Sequence, residues 1–281
     1  MIKLKINTER FFLKIAKIIL NKHIGKSNYQ GIFESFFSLS LNGMNIGGGG
    51  QTDTSGERNA LVYIKSRLQN VQQLTIFDVG ANIGLYTILL NDIFNENAKI
   101  FSFEPSKKTF NTLSVNTGTI KNRNIFNFGF GNVNTVLTLY SNKEESGLAS
   151  IYERRLDHFN IKMNLSEEIE IRTIDTFCSE NSISKINFLK IDVEGHELNV
   201  LNGASELIKN NKIDFIQFEF GGCNIDSRTY FQDFYYLLKE DFYIYRILKD
   251  GLYKIENYKE MYETFITTNF LAERKQIDGI N

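Results

Sequence analysis

The chain has 281 residues, of which 42% are hydrophobic and 23% are charged, values that are ordinary for a folded globular protein. Its formal net charge is -1, so no strong positive field attracts nucleic acid, and we predict no nucleic-acid partner. The only cysteines, Cys178 and Cys223, form no Cys-x-x-Cys pair and no disulfide framework, so we expect free thiols in the cytoplasm.

Residues 1–54 are predicted to form a helical N-terminal extension that ends in a glycine-rich loop. Apolar residues between Phe11 and Ile19 recur at helical spacing. The basic residues of this stretch are Lys3, Lys5, Arg10, Lys14, Lys17, Lys22 and Lys26. Such a helix commonly packs on its own domain, and it can also lie on an anionic membrane surface, so peripheral membrane contact is a second possibility. Charges inside the apolar run argue against a secretion signal.

Residues 55–281 are predicted to form one catalytic domain. Gly47 to Gly50 read as a flexible break, because no Lys-Ser or Lys-Thr follows at the spacing of a phosphate loop. A helix then begins near Ser55-Gly56-Glu57. Its polar start serves either as a helix cap or as part of a mobile lid, and the sequence favours neither.

A strand, a glycine turn and a helix follow between Thr75 and Leu90, and together they predict a nucleotide-binding corner. The turn reads Asp78-x-Gly80-x-Asn82-x-Gly84. Asn82 stands where a dinucleotide fingerprint requires glycine, and the carboxylate of Asp78 would repel a phosphate. Both features favour a nucleoside without phosphate that carries positive charge. S-adenosylmethionine has these properties, and we predict it as the cofactor.

Two more strand ends contribute to this predicted site. Glu104 ends the next strand, about twenty residues past the glycines, where a carboxylate accepts hydrogen bonds from both ribose hydroxyls. A third strand is predicted over residues 124–130 and ends at Asn132, whose amide either pairs with adenine or serves as a turn residue. A short strand follows over residues 136–140, and the polar stretch 141–172 is predicted as an insertion over the site.

A second dense motif, residues 186–197, reads as a buried strand that delivers polar side chains at its carboxyl end. These side chains are Asp192, Glu194, His196 and Glu197, and Glu219 ends the strand after them. His196-Glu197 opens like a His-Glu-x-x-His zinc motif, but Val200 occupies the second histidine position, so we predict no zinc site. The imidazole beside carboxylates is a candidate base.

A third pattern would suit a different class of enzyme. Tyr235 and Lys239 have the Tyr-x-x-x-Lys spacing of short-chain dehydrogenases, which use a nicotinamide cofactor. Their glycine turn, however, would need a glycine where Tyr86 stands, and such a pair is expected about once by chance in a chain rich in tyrosine and lysine. Downstream, a hairpin is predicted around Asp250-Gly251 and a last strand over residues 267–271.

These motifs resemble the FkbM-type S-adenosylmethionine-dependent methyltransferases over about residues 55–272. The most specific block runs from Phe188 to Glu197, and the blocks 77–84 and 216–219 match in the expected order. The resemblance implies a class I methyltransferase fold, an α/β Rossmann-like architecture whose mostly parallel sheet has helices on both faces and an antiparallel C-terminal strand. By the same likeness Asp78, Gly80, Asn82 and Gly84 would lie by the methionine portion, Glu104 by the ribose and Asn132 by the adenine.

The resemblance also implies methylation of a hydroxyl on a sugar, a glycan or a secondary metabolite. We expect in-line displacement, in which an acceptor oxygen attacks the methyl carbon. Asp192 and His196 are the candidate bases, with Glu194 or Glu219 orienting them. A divalent cation on Asp192 and Glu194 is an alternative way to activate the hydroxyl, although no dedicated metal site is predicted. The rival functions are a short-chain oxidoreductase and a nucleoside-binding module without turnover.

Overall fold

A computed structural model describes residues 11, 14–15, 17–48 and 55–276. The chain divides into two compact units, Met1–Met44 and Asn45–Asn281. The predicted boundary after residue 54 stays a prediction, because residues 49–54, which include half of the glycine run, lie outside the described residues, as do Lys3, Lys5 and Arg10. Within the described residues, no helix combines the length and hydropathy needed to cross a bilayer.

The N-terminal unit is helical. Residues 14–15 and 17–20 are helical, two short 3-10 turns follow at Asn21–His23 and Ser27–Tyr29, and helix α1 spans Gln30–Gly43. The predicted helix between residues 11 and 19 is therefore confirmed where it is described.

The second unit contains eleven strands among its described residues. They are β1 (Leu74–Val79), β2 (Ala98–Phe103), β3 (Arg123–Phe126), β4 (Gly129–Phe130), β5 (Thr135–Ser141), β6 (Leu165–Arg172), β7 (Ile186–Ile191), β8 (Ile213–Phe220), β9 (Phe242–Leu248), β10 (Gly251–Lys254) and β11 (Thr268–Arg274). Eight of them form one sheet in the order β10-β9-β11-β8-β7-β1-β2-β3, and the other three form a small sheet in the order β4-β6-β5.

Helices connect these strands. They are α2 (Glu57–Arg67), α3 (Leu85–Phe94), α4 (Lys107–Asn116), α5 (Ile174–Glu180), α6 (Glu197–Asn202), α7 (Ser205–Lys209), α8 (Cys223–Ser227) and α9 (Phe231–Leu238). Short 3-10 turns lie at Asn95–Asn97, Asp157–Phe159 and Glu260–Tyr262.

The central strands pair in parallel, as their continuous apolar sequences predict. β1 pairs in parallel with β2 and β7, and the next neighbours β3 and β8 are parallel as well. β11 lies antiparallel between β8 and β9. Alternate β1 residues serve two cores: Phe77 packs on the face covered by α5 and α9, and Ile76 on the face covered by α2 and α3. The predicted class I methyltransferase architecture is confirmed.

The third strand differs from its prediction. The sequence predicted one strand over residues 124–130, but β3 ends at Phe126 and Gly129 begins β4 in the small sheet. The side-chain amide of Asn127 donates to the backbone oxygens of Glu104 and Pro105, both at 2.9 Å. These bonds tie the chain to the end of β2, so the backbone leaves the main sheet and crosses to pair with β6.

Candidate functional site

Two adjoining cavities lie at the edge of the sheet where β1, β2, β7 and β8 end. The larger cavity has a volume of about 410 Å³, and the polar cavity beside it has about 370 Å³. Both volumes suit small organic ligands. The residues that line both cavities are Gly80, Asn82, Gly147, Asp192 and Glu219. Four of the predicted site residues therefore meet at the junction of the two cavities.

The turn after β1 has the geometry that its glycines suggest. Gly80 has φ 81°, and a Cβ there would lie 1.8 Å from the backbone oxygen of Asp192, so only glycine fits. Gly84 has φ 91° and packs against Leu113 in α4 and against Thr117, the residue after that helix. A Cβ on Gly84 would lie 2.8 Å from each of these two side chains. Gly80 thus borders the cavities, whereas Gly84 is required for packing between helices.

Asp78 lies beneath this turn and lines neither cavity. Its side chain is fully buried, and Oδ2 accepts a hydrogen bond of 2.7 Å from the Thr87 hydroxyl. Burial raises its pKa, and the nearby Lys190 lowers it. Asp78 therefore occupies an interior position next to the turn, and its predicted place beside the methionine portion stays a prediction.

Glu104 is held rigidly at the end of β2. Its Oε2 accepts from the backbone N–H of Asn82 at 3.0 Å, and its Oε1 accepts from the backbone N–H of Ser106 at 2.9 Å. Burial raises its pKa to about 7, while the two backbone bonds lower it. The carboxylate lines the larger cavity and has lone pairs left to accept hydroxyl hydrogens, as the ribose prediction requires.

Apolar side chains form the wall of the larger cavity near Glu104. They are Pro105, Phe130, Leu139, Ile169 and Ile171. Most come from the small sheet, and residues 146–149 and 151 of the stretch between β5 and β6 extend the same wall. The predicted insertion 141–172 therefore includes cavity-lining residues. An apolar surface beside a buried carboxylate suits a nucleoside, whose base is flat and whose ribose carries hydroxyls.

Three carboxylates meet where β7 and β8 end. Asp192, Glu194 and Glu219 each offer an oxygen, and these oxygens lie within 4.8 Å of one another. Lys190 Nζ lies 2.9 Å from Asp192 Oδ2, and Arg154 Nη1 lies 2.5 Å from Glu194 Oε2. Within the described part of the chain, no group hydrogen-bonds or pairs with the Glu219 carboxylate.

Burial and mutual repulsion raise the pKa values of Glu194 and Glu219. Burial, followed by the charge of Asp192, raises the pKa of Glu194 to about 8, although the charge of Arg154 lowers it. Burial and the charges of Asp192 and Glu194 likewise raise the pKa of Glu219 well above its ordinary value. A cation placed among these groups would favour their ionised forms, so the cluster is suited to a positively charged ligand.

His196 lines the larger cavity with its ring mostly buried. Its Nδ1 lies 3.2 Å from the amide nitrogen of Asn199 and 3.1 Å from the hydroxyl of Tyr152. An amide nitrogen only donates, so Nδ1 is the acceptor and Nε2 carries the proton. Burial lowers the pKa of His196 to about 4. The neutral ring with a protonated Nε2 is a hydrogen-bond donor, which weakens its case as the base.

The polar cavity is also lined by Glu57, Tyr86 and Lys190, which were not among the predicted cofactor-binding or catalytic residues. Glu57 is buried at the start of α2, where its Oε1 accepts from the Gln217 amide at 2.7 Å. The Gln217 amide oxygen in turn accepts from the Tyr86 hydroxyl at 2.9 Å. Lys190 is buried below them, 4.6 Å from the centre of the Tyr86 ring. Burial opposes its charge, but the carboxylates of Asp192, Asp78 and Glu57 outweigh this and raise its pKa.

The start of α2 packs against the end of β9, and the choice between a helix cap and a mobile lid stays open. Gly56 has φ 95°, and a Cβ there would lie 2.0 Å from the backbone oxygen of Leu248. The Ser55 hydroxyl donates to Glu57 Oε2 at 2.8 Å, and the backbone N–H of Glu57 donates to Ser55 Oγ at 3.2 Å. Ser55 and Glu57 therefore stabilise the start of α2 by hydrogen-bonding to each other, and Glu57 also lines the polar cavity.

Three further candidate residues lie away from the cavities. Asn132 is exposed and lines neither cavity, because the chain has already left the main sheet before it. Tyr235 lies on α9 and donates to the backbone oxygen of Glu256, and Lys239 follows that helix. Neither residue of this Tyr-x-x-x-Lys pair lines the two cavities, so the dehydrogenase interpretation has no support from the geometry.

The chain is similar in sequence to two known methyltransferases. The hexuronic acid methyltransferase AglP of Haloferax volcanii is 26% identical over 173 residues, which are 60% of this chain and 65% of that protein. Methyltransferase 1 of Beauveria bassiana is 25% identical over 146 residues, 47% of this chain and 58% of that protein. The matched regions thus cover less than two thirds of the length of either relative.

Solved structures of methyltransferases also match this chain. The N-terminal domain of human METTL16 in complex with SAH matches with a TM-score of 0.43 and 10% identity, covering 78% of this chain and 70% of that one. An O-methyltransferase of Thermotoga maritima matches with a TM-score of 0.39 and 14% identity, covering 78% of this chain and 66% of that one.

The family assignment comes from the sequence around the cavities. The family model described as the methyltransferase FkbM domain matches residues 78–247, well over half of the chain. This region runs from the end of β1 to β9 and contains the carboxylate cluster at the ends of β7 and β8. The chain therefore belongs to the FkbM family of S-adenosylmethionine-dependent methyltransferases.

Proposed function

We propose that this protein transfers a methyl group from S-adenosylmethionine to a hydroxyl of a sugar or glycan, with a secondary metabolite as the less favoured acceptor. The observation that carries the proposal is the junction of the two cavities at Asp192 and Glu219, where an apolar wall beside Glu104 meets a group of carboxylates. The name of the Haloferax volcanii relative, a hexuronic acid methyltransferase, supports a sugar acceptor.

The chemistry of the lining residues fits the cofactor. The apolar wall around Pro105 and Phe130 would hold the adenine, and Glu104 would accept hydrogen bonds from the ribose. The polar cavity would receive the amino-acid end, with its ammonium group beside the carboxylates of Glu57 and Asp192. When bound, S-adenosylmethionine supplies a methyl group on a sulfonium, and its carbon–sulfur bond breaks with the electron pair remaining on sulfur.

Glu219 is our candidate for the base. Its carboxylate faces both cavities, and no cation among the described residues is paired with it, whereas Lys190 is paired with Asp192. The positive charge of the bound cofactor would favour the ionised form of Glu219, and in the reaction the acceptor oxygen would form its bond to the methyl carbon while its proton passes to this carboxylate. Asp192, fixed by Lys190, and Glu194, fixed by Arg154, would align the acceptor and stabilise the positive charge before transfer.

The decisive experiment has two stages. Calorimetry with S-adenosylmethionine and with NADH tests the cofactor, and we expect binding of the first only. Transfer of labelled methyl groups to a panel of neutral sugars, uronic acids and small polyketides then tests the acceptor. Binding without transfer to any acceptor would favour a nucleoside-binding module, and the absence of binding would refute the proposal.

A further inference from the structure

The N-terminal unit carries large apolar side chains that are open to solvent. On α1, Ile32, Phe36 and Leu39 are 47%, 46% and 66% exposed. Their spacing of four and three residues places them on one face of the helix, and Phe37, on another side of the same helix, is 59% exposed. Large apolar side chains are normally buried, so an exposed face of this kind is typical of a surface that binds a partner or a membrane.

The helical stretch before α1 repeats this pattern. Ile15, Ile18 and Ile19 are 39%, 73% and 62% exposed. Residues at these spacings lie on the same side of a helix. The exposed apolar residues of the unit thus recur on two helical stretches, and they are of the types, Phe, Ile and Leu, that insert among lipid chains.

The charge of the unit identifies the kind of partner. Residues 1–44 carry seven basic and two acidic side chains, a net charge of +5, which leaves -6 on residues 45–281 because the whole chain carries -1. Lys14, Lys17, Lys22 and Lys26 are all exposed, and Glu34 is the only acidic residue of residues 11–44. Positive charge is therefore concentrated on the unit that also exposes the apolar side chains.

We propose that the N-terminal unit is a docking surface for anionic phospholipid membranes. Exposed aliphatic and aromatic side chains would enter the boundary between headgroups and acyl chains, while the lysines bind anionic headgroups. A nucleic acid would use the lysines but leave the apolar residues in water. A second copy of the chain would cover the apolar residues, but it would bring the same excess of positive charge into contact with itself.

The test uses the full chain and co-sedimentation with two kinds of vesicle, one rich in phosphatidylglycerol and one of pure phosphatidylcholine. We expect binding to the first kind only, with loss of binding at high salt. Replacing Lys14, Lys17, Lys22 and Lys26 by Gln should weaken binding by roughly fivefold per lysine. The matched control replaces four exposed lysines of the second unit: Lys121, Lys162, Lys212 and Lys249.

The apolar contribution is tested separately by a triple variant with Ile32→Ala, Phe36→Ala and Leu39→Ala, since alanine preserves helix propensity. We expect at least a tenfold, order-of-magnitude loss of vesicle affinity. The control replaces the exposed residues Val115, Val133 and Val136 by Ala. Circular dichroism verifies that each variant is folded.

Three results would overturn this proposal: no sedimentation with anionic vesicles, variants that bind like the wild type, or a wild-type dimer that the triple variant abolishes. Calorimetric binding of S-adenosylmethionine is measured on the same samples. A failure of membrane docking is thereby distinguished from a failure of the proposed enzymatic function.

Discussion

The backbone N–H of Asn82 donates a hydrogen bond of 3.0 Å to Oε2 of Glu104, which links the turn after β1 to the end of β2. This bond fixes the carboxylate at the rim of the larger cavity before any ligand arrives. A preorganised acceptor loses little conformational entropy when it binds ribose hydroxyls. The two residues therefore act together, one as the support and the other as the proposed ligand contact.

Replacing Glu104 by Ala should weaken binding of S-adenosylmethionine by about ten- to a hundredfold, since hydrogen bonds to a charged group are worth about 1.5–3 kcal/mol. Calorimetry measures the change, and Glu96→Ala, an exposed glutamate before β2, is the control. Unchanged affinity in the Glu104 variant would show that the ribose does not bind here.

Asn132→Ala should leave cofactor affinity unchanged, contrary to what the sequence alone suggested. The side chain is exposed and lines neither cavity, so its removal costs no ligand contact. The same calorimetric titration tests this. A clear loss of affinity would mean that the segment after β4 moves onto the adenine when the cofactor binds.

Glu219→Gln should lower turnover by about a hundred- to ten-thousandfold while cofactor affinity changes little, because the amide keeps the size of the side chain and loses its basicity. Asp192→Asn and His196→Ala are compared with it under single-turnover conditions. We expect a smaller loss for His196→Ala, whose protonated Nε2 cannot accept a proton. If His196→Ala were as impaired as Glu219→Gln, the histidine would be the better candidate.

The sequence identified the parts of this site that are contiguous along the chain. Asp192, Glu194 and His196 follow one strand, and Gly80 and Asn82 follow another, so their proximity results from the parallel order of the strands. Glu57 was read as a helix cap or lid residue, because its partner Gln217 is 160 residues away in sequence. No local pattern indicates such a contact.

The exposed position of Asn132, outside both cavities, could not be predicted from the sequence for a different reason. The alternation of residues 124–130 is compatible with one continuous strand, and only the tertiary bonds from Asn127 to the backbone of Glu104 and Pro105 end β3 early.

Lys190 was also passed over. A lysine inside an apolar strand is an unusual signal, and its burial beside Asp192 and Asp78 explains it. That pattern could have identified the residue.

Turnover should not be reduced by dialysis against EDTA. The oxygens of Asp192, Glu194 and Glu219 lie close enough together to hold a divalent cation, but Lys190 and Arg154 already neutralise two of these carboxylates. Activity is measured after dialysis and again after adding back Mg²⁺ or Mn²⁺. Loss of activity that the metal restores would support the alternative in which a cation acidifies the acceptor hydroxyl.

Glu197 gives a prediction about stability and pH that does not depend on the substrate. It is fully buried on α6, where Oε1 accepts from the backbone N–H groups of Val193 and Gly195, and Oε2 has no hydrogen-bond partner among the described residues. Burial, the largest cause, raises its pKa from 4.5 to about 7. The folded protein therefore keeps this carboxyl protonated at pH values where the unfolded chain has already ionised it.

The sign of the effect follows from this difference. Below pH 4.5 the Glu197 carboxyl is protonated in both the folded and the unfolded state, so its ionisation does not change the free energy of unfolding. Between 4.5 and about 7 the unfolded state alone gains from ionisation, so the free energy of unfolding falls as pH rises, by up to about 3 kcal/mol. Glu197→Gln keeps the acceptor oxygen and cannot ionise. It should match the wild type near pH 4 and be more stable near pH 8.

Urea unfolding at several pH values measures this, with Glu206→Gln as the control, since Glu206 is an exposed carboxylate on the neighbouring helix α7. The difference between wild type and Glu197→Gln should grow through the window from pH 4.5 to about 7 and then stay constant. A difference that is independent of pH would mean that Glu197 titrates normally, and that ions or water reach its unpartnered oxygen in the folded protein.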